Sequence, residues 1–321
     1  MQSFPKALGL LHYIRMRKGN GVTAAHSFRQ SLETGHFVVT AEIAPPRGAS
    51  LEPLTLCVHD LKAVVSAINL TDGASARVRM SSLAAAIHVK QLGVEPILQM
   101  TCRDRNRIAI QSDLLGAAAF GIANVLVLSG DGINAGDDPD AKAVFDLDAR
   151  SLLKAVHSMT VNGSTLAGSE LSTKTGFFAG AADIPVEPGD GWSPDPLRSK
   201  GAAGARFVQT QFCFDIELLE RYIGRLRDEG LTENMYFLVG LGPLRSADGA
   251  RWMRKNLNGT IIPEGIVRRL EAARDPRHEG ITICAELIQQ ARDINGVAGV
   301  HLMAPGQHQS IIEAVKLAGL V

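Results

Sequence analysis

Residues 235–245 read MYFLVGLGPLR, and they decide between the two folds that alternating strands and helices can build. The first six residues form a short apolar run, which is typical of a buried strand. A doubly wound dinucleotide-binding sheet would continue such a strand with Gly-x-Gly-x-x-Gly at the start of a helix. Here Arg245 occupies the third glycine position, and Pro243 stands where the helix should open. The stretch therefore argues against the open sheet.

Seven further β-rich apolar runs recur along the chain, and segments with helical spacing separate most of them. Asp215 is a good helix N-cap, and Asp104 looks like a similar helix start. After Asp215, apolar residues return every three or four positions. Apolar strands that alternate with helices pair in parallel, and eight such repeats predict a closed (β/α)₈ barrel of the α/β class. The predicted strands are 37–43, 64–71, 95–100, 122–128, 174–180, 206–212, 235–240 and 298–303.

The overall composition excludes several classes of partner. Thirty-three basic and thirty-three acidic residues cancel, so we expect no nucleic-acid partner. No apolar run approaches the length of about 18 residues that a membrane span requires, so we expect no membrane contact. The four cysteines are scattered, which suits a reducing compartment and predicts a cytoplasmic protein. No two histidines are spaced His-x-x-x-His, so we predict no metal site.

The first part of the chain differs from the rest in charge. Five basic residues precede the first acidic residue, Glu33, in a chain whose formal net charge is zero. We therefore predict a basic N-terminal extension over residues 1–34 and a barrel domain over residues 35–321. The extension suits a surface or subunit contact, and we expect a homo-oligomer, with a partner protein as a further possibility.

Polar residues follow the predicted strands where each one ends. Glu42 ends the first strand, Thr71 the second and Gln99 the third, while Asp131 and Gln211 follow the fourth and sixth. Barrel enzymes carry their chemistry at the carboxyl ends of their strands, so these side chains should converge on one rim. Without further information, the pattern predicts a barrel enzyme of unknown reaction.

Six motifs, in order along the chain, resemble those of methylenetetrahydrofolate reductases. They are AEIAPPRG, INLTDGA, LQMTCRDRN, LVLSGD, FVQTQFCFD and GLGPLRS, between Ala41 and Ser246. The resemblance implies a barrel that holds FAD and uses NADH or NADPH to reduce 5,10-methylenetetrahydrofolate to 5-methyltetrahydrofolate, or runs the reverse oxidation. Two alternatives stay open: a flavin-free reductase with direct hydride transfer, and a pterin-binding barrel methyltransferase.

The resemblance also implies a role for each matching residue. Glu42 corresponds to the family's general acid, and we expect burial at the strand end to raise its pKa. Asp131 corresponds to an aspartate near the flavin and the pterin, and Gln211 to a glutamine that contacts the pterin. Thr71 corresponds to a residue hydrogen-bonded to the flavin, and Lys200 to a lysine near its ribityl-diphosphate arm.

Some positions depart from the family pattern. Gln99 stands where several members carry a flavin-contacting histidine, and we predict from this position that Gln99 binds the cofactor. Ser129 replaces an arginine that often precedes Gly-Asp. Ile184 stands where many members have a tyrosine. These departures reduce the number of expected contacts to the flavin, whereas the acid and the pterin-binding residues match the family pattern.

Overall fold

The computed structural model describes residues 27–321. Eight parallel strands pair in chain order and close into a barrel, in which β1 lies beside β8. The prediction of a (β/α)₈ barrel is therefore confirmed, and each predicted strand overlaps an observed one. The strands are β1 Val38–Ile43, β2 Ala67–Leu70, β3 Pro96–Thr101, β4 Asn124–Leu128, β5 Phe178–Asp183, β6 Phe207–Phe212, β7 Tyr236–Leu241 and β8 Val297–Met303.

The helices surround the barrel and cover its apolar outer face. In α7 the predicted stripe is confirmed, because Leu219, Tyr222, Ile223 and Leu226 are all buried. The helices are α1 Phe28–Glu33, α2 Glu52–Leu61, α3 Ser82–Gln91, α4 Arg107–Ala119, α5 Ala149–His157, α6 Asp195–Ala202, α7 Ile216–Asp228, α8 Ala247–Asn256, α9 Glu264–Ala272, α10 Pro276–Asp293 and α11 His308–Leu317.

Two local predictions were wrong at their boundaries. Strand β5 starts at Phe178 and not at residue 174, because Gly176 has a φ of +88° and breaks the extended backbone. Helix α4 is capped by Asn106, whose side chain accepts from the amides of Ile108 and Ala109. Asp104, the predicted cap, instead binds the guanidinium of Arg103 with both carboxylate oxygens, each at 2.7 Å.

The short helix α1 packs against the N-terminal end of the barrel. Ser27 caps the helix in a reciprocal capping box with Gln30. The buried ring of Phe28 lies edge-on to the rings of Phe207 at 5.3 Å and Phe178 at 6.1 Å between centroids. These aromatic side chains belong to an apolar cluster that fills this end of the barrel. The division of the chain at residue 34 stays a prediction, and residues 1–26 lie outside the described part.

The barrel interior changes from apolar to polar along the strands. Side chains two residues apart on a strand point to the same face, so each strand adds a second inward residue above the apolar cluster. Five of the eight strands contribute a buried polar residue to this second layer: Thr40, Asn69, Gln99, Gln209 and His301. The chemistry at the rim therefore lies directly above a hydrogen-bonded polar layer.

Candidate active site at the carboxyl ends of the strands

Glu42 lies near the carboxyl end of β1, with 24% of its side chain exposed. Its Oε2 accepts a hydrogen bond of 2.9 Å from Nε2 of Gln99 on β3. The same oxygen lies 3.7 Å from Nε2 of His301 on β8. The predicted acid is therefore fixed by neighbours from two other strands, and its remaining surface is open to the mouth of the barrel.

The expected rise in the pKa of Glu42 was wrong. Burial is the largest single influence on this carboxyl and does raise its pKa. The nearby imidazole of His301, together with the hydrogen bond from Gln99, outweighs burial, and the net effect lowers the pKa of Glu42. In this structure the neighbours of Glu42 therefore favour its carboxylate form.

A chain of hydrogen bonds runs beneath Glu42 and was missed at the sequence level. Nδ1 of His301 lies 3.0 Å from Oγ1 of Thr40, which accepts at 3.1 Å from Nε2 of Gln209. The amides of Gln209 and Asn69 bond to each other at 2.6 and 3.1 Å. The sequence carries one signal that could have revealed this layer. It is a polar residue inside an otherwise apolar strand, two positions before the last residue of that strand that points into the barrel.

Thr71 follows β2 and has a hydroxyl that the protein leaves without a partner. The residue is buried, and its Oγ1 makes no hydrogen bond in the described part of the chain. An unsatisfied buried hydroxyl is costly, so such a group at a barrel mouth is suited to bind a ligand. Thr71 is thus placed as the sequence predicted, and its flavin contact stays a prediction.

Asp131 lies on an exposed loop after β4. Its Oδ2 accepts a hydrogen bond of 2.7 Å from the backbone amide of Ser75, in the loop that follows β2. A second link joins the same two loops, because Oδ1 of Asp137 accepts from the amide of Val78 at 3.1 Å. Asp131 therefore ties two loops together over the mouth, and a ligand would have to share its carboxylate with that contact.

Gln211 and Lys200 are held by backbone groups on the far side of the barrel. Gln211 accepts from the amide of Phe212 at 2.9 Å and donates to the carbonyl of Asn258 at 3.2 Å. Nζ of Lys200, in α6, donates at 2.6 Å to the carbonyl of Ala182 near the end of β5. Neither residue contacts Glu42 in this structure, and their roles toward pterin and flavin stay predictions.

An open cleft of about 600 Å³ lies between the end of β4 and the start of α5. Its polar lining includes Ser129, Arg150, Ser151 and Lys154. Two acidic side chains also line it, but both are engaged: Asp146 by Arg107 and Asp148 by the amide of Ser151. Asp148 also engages the hydroxyl of Ser151 and caps the helix. The cleft therefore offers the cations Arg150 and Lys154 and the hydroxyl of Ser129, which are suited to an anionic group.

In the described part of the chain, a half-buried carboxyl also ends strand β5. Asp183 closes β5, and the hydroxyl of Tyr222 in α7 donates to it. Desolvation raises the pKa of Asp183, and the paired carboxyl raises the pKa of Tyr222 beyond the effect of burial. The partner of Asp183 lies in the helical layer outside the barrel, so the pair links strand β5 to helix α7. We assign the pair no role in the chemistry at the barrel mouth.

The part of the chain that the structure describes contains neither a cluster of metal ligands nor a membrane-spanning helix. Between residues 27 and 321, no three His, Cys, Asp or Glu side chains are grouped as metal ligands would be. No helix in that range has both the length and the apolar character needed to cross a bilayer.

Comparison with known proteins identifies relatives that match most of this chain. A protein named probable methylenetetrahydrofolate reductase (NADPH), from Caenorhabditis elegans, is 26% identical over 248 residues, which cover 76% of this chain and 35% of the relative. Methylenetetrahydrofolate reductase 2 of Schizosaccharomyces pombe is 25% identical over 244 residues, or 70% of this chain and 36% of the relative. The chain thus spans about a third of the length of these curated relatives.

Solved structures share the fold at low sequence identity. A Clostridium thermocellum protein, described as binding two copies of 5-methyl-5,6,7,8-tetrahydrofolic acid, superimposes with a TM-score of 0.59 at 14% identity, over 91% of this chain and 97% of that one. EDTA monooxygenase from Chelativorans gives a TM-score of 0.53 at 10% identity, over 88% and 92% of the two chains. At such identities the likeness shows the fold alone.

The family model described as methylenetetrahydrofolate reductase matches residues 27–319, from the cap of α1 to the end of the last helix. The match includes every strand of the barrel and every rim residue considered above. The chain belongs to the methylenetetrahydrofolate reductase family.

Proposed function

We propose that this protein reduces 5,10-methylenetetrahydrofolate to 5-methyltetrahydrofolate with a hydride that originates from NADH or NADPH, by way of bound FAD. The observation that carries the proposal is the position of Glu42: a carboxyl at a strand end, fixed by Gln99 and His301 and open to the barrel mouth. Family membership supplies the reaction, and the name of the C. elegans relative specifies NADPH.

The folate reaction needs a proton at N10 of the substrate. The five-membered ring of the substrate opens when N10 is protonated and its bond to the methylene carbon breaks, which leaves an iminium at N5. Hydride then adds to the methylene carbon and completes the methyl group. Glu42 delivers the proton to N10, and positioned general acids contribute about 10²- to 10⁴-fold to such steps.

The rim residues fit a flavin. FAD would supply a two-electron carrier that accepts a hydride from the nicotinamide and donates one to the folate. The unpartnered hydroxyl of Thr71 would bind the ring system. Lys200 would bind the ribityl-diphosphate arm, and the cations of the cleft beside α5, Arg150 and Lys154, suit its phosphates.

Asp131 and Gln211 would act on the folate. The Asp131 carboxylate would favour the cationic iminium, since a fixed negative charge stabilises positive charge that develops nearby. Gln211 would bind the pterin through its amide, which can both donate and accept hydrogen bonds. Both would have to rearrange from the backbone contacts that they make in the ligand-free protein.

An absorption spectrum of the purified protein tests the proposal. We expect flavin bands that bleach on anaerobic addition of NADH or NADPH and recover on addition of methylenetetrahydrofolate. A colourless protein that FAD does not reconstitute, but that consumes nicotinamide only with methylenetetrahydrofolate present, would indicate direct hydride transfer. No folate-dependent consumption of either nicotinamide would overturn the proposal and favour the methyltransferase alternative.

We also propose that the protein is cytoplasmic and a homo-oligomer. All four cysteines are free, as expected in a reducing compartment. Large apolar side chains on and just after α4 are exposed, with Ile108 at 73% and Phe120 at 59%. Light scattering after size-exclusion chromatography measures the oligomeric state, and a monomer at micromolar concentration would contradict this proposal.

A further inference from the structure

A conflict at Glu42 is the starting point. The proposed reaction requires a protonated group beside the folate, whereas the surroundings of Glu42 lower its pKa and favour the carboxylate. A carboxylate cannot donate a proton, so Glu42 has to receive one before it can act as the acid. In the described part of the chain, the groups that act on this carboxyl are His301 from β8 and Gln99 from β3, and only His301 can titrate.

We propose that Glu42 and His301 share one proton, and that His301 passes it to Glu42 when the folate ring opens. The inference rests on the proposed function above. His301 does not touch the substrate in this scheme; it is a positioning residue that acts through Glu42. Its Nε2 and the Glu42 Oε2 are 3.7 Å apart, at ion-pair distance, so a small side-chain rotation brings them into hydrogen-bond contact.

The hydroxyl of Thr40 can serve both protonation states of the imidazole. Thr40 accepts from Gln209, and its own proton can point either to Nδ1 of His301 at 3.0 Å or to the carbonyl of Val300 at 3.4 Å. When the imidazole is neutral with its proton on Nε2, Thr40 donates to Nδ1. When the imidazole is charged, Nδ1–H donates to Thr40, whose hydroxyl turns to Val300.

The other residues of the polar layer hold His301 and Thr40 in place and bring no charge near them. Gln209 is held by its reciprocal amide pair with Asn69. His301, Thr40, Gln209 and Asn69 are all at most 3% exposed, so bulk water does not compete for these hydrogen bonds. The described contacts of the layer add no charged side chain, so the proton has two sites, the imidazole and the carboxyl.

The proton balance of the step is complete. The Nε2–H bond of the imidazolium breaks as an O–H bond forms on Glu42. That O–H bond breaks in turn as an N–H bond forms at N10 of the folate, and the C–N10 bond gives its electron pair to N10. The pair is left as a carboxylate and a neutral imidazole whose remaining proton, on Nδ1, still donates to Thr40, and a proton from solvent at Nε2 restores the imidazolium.

Carbon NMR of δ-¹³C-glutamate tests the coupling without relying on activity. Glu42 is assigned by its absence in Glu42→Gln, and its titration midpoint is compared between the native protein and His301→Gln. Because the imidazolium lowers the pKa of Glu42, its removal should raise the midpoint by about one pH unit or more. His278→Gln, the same change at an exposed position on α10, should leave the midpoint unchanged.

Thr40→Val is a second variant, which tests the same coupling if His301→Gln does not fold. It retains the shape of the side chain and removes the acceptor for Nδ1–H, so the charged imidazole is disfavoured and the Glu42 midpoint should also rise. If the Glu42 midpoint moves in neither variant, the proposal is overturned. If His301→Gln does not fold, an unmoved midpoint in Thr40→Val alone overturns it.

A kinetic measurement separates this inference from the proposed function. In the native protein the high-pH limb of folate reduction reports loss of the proton that the pair shares, whereas in His301→Gln only Glu42 can hold that proton. The limb should therefore move downward in the variant, and folate reduction at its optimum should fall about 10-fold or more as the relay is lost. Reduction by nicotinamide should not change. A moved midpoint with an unmoved kinetic limb would show that the pair is coupled but that Glu42 is not the acid, which contradicts the relay and the role of Glu42 in the proposed function together.

Discussion

Gln99 donates a 2.9 Å hydrogen bond to Glu42 although β2 lies between their two strands. Side chains from alternate strands of a barrel meet in shared layers, which is why β1 and β3 can contact each other across β2. Family resemblance predicted that Gln99 contacts the flavin. In this structure it holds the proposed acid, and the flavin contact stays a prediction.

Glu42→Gln should separate the two half-reactions. The amide cannot deliver a proton, so we expect folate reduction to fall by about 10²- to 10⁴-fold. Nicotinamide oxidation by the flavin needs no such acid and should be close to native in rate. Rapid-mixing absorbance at the flavin band measures both, and a variant with native rates in both half-reactions would contradict the role given to Glu42.

Gln99→Leu should change the pH dependence of folate reduction. The amide of Gln99 lowers the pKa of Glu42, so its removal should raise that pKa. The sign follows directly: the acid stays protonated to higher pH, and the descending limb of the pH–rate profile moves upward. Because His301 acts more strongly on Glu42 than Gln99 does, the rise in the pKa of Glu42 should be smaller than in His301→Gln.

Thr71→Val should have opposite effects on stability and on cofactor binding. The lost hydroxyl has no protein partner, so the free energy of unfolding of the flavin-free protein should rise by about 1 kcal/mol. FAD should bind about 5-fold more weakly, as expected for one lost hydrogen bond of about 1 kcal/mol. Urea denaturation and fluorescence titration with FAD give the two numbers.

The same substitution at Thr210 is the matched control. The Thr210 hydroxyl accepts from the amide of Gly240 at 2.9 Å and donates to the carbonyl of Gln211 at 3.0 Å. Thr210→Val leaves a buried amide unsatisfied and should therefore destabilise the protein by about 1–3 kcal/mol. If both variants changed stability in the same direction, the ligand-binding role of the Thr71 hydroxyl would lose its support.

Phe28→Ala should reveal how much α1 contributes to the barrel. The ring is fully buried against Phe178 and Phe207, and truncations of this kind cost about 3–5 kcal/mol. Glu33→Ala in the same helix removes an exposed ion pair with Arg29 and should cost at most about 1 kcal/mol. Chemical denaturation of both variants checks this, and equal losses would show that α1 is not part of the core.

The sequence alone determined the class of fold and the location of the site. Eight apolar runs predict eight strands because burial on both faces of a parallel strand requires apolar residues. Glu42 and Thr71 could be placed at strand ends because these positions depend only on where each run stops. Helix α7 could be predicted from Asp215 and the stripe that follows it, since a cap and a helical period are local properties.

Only the tertiary structure decided the electrostatics of the site. Thr40 and His301 are 261 residues apart in sequence and become neighbours because closure of the barrel pairs β1 with β8. That closure also brings His301 to Glu42, and the direction in which the pKa of Glu42 moves depends on this contact. Strand patterns encode burial, which alone would raise the pKa. Which partners a buried carboxyl meets depends on how distant strands are arranged around it, and here the partners reverse the effect of burial.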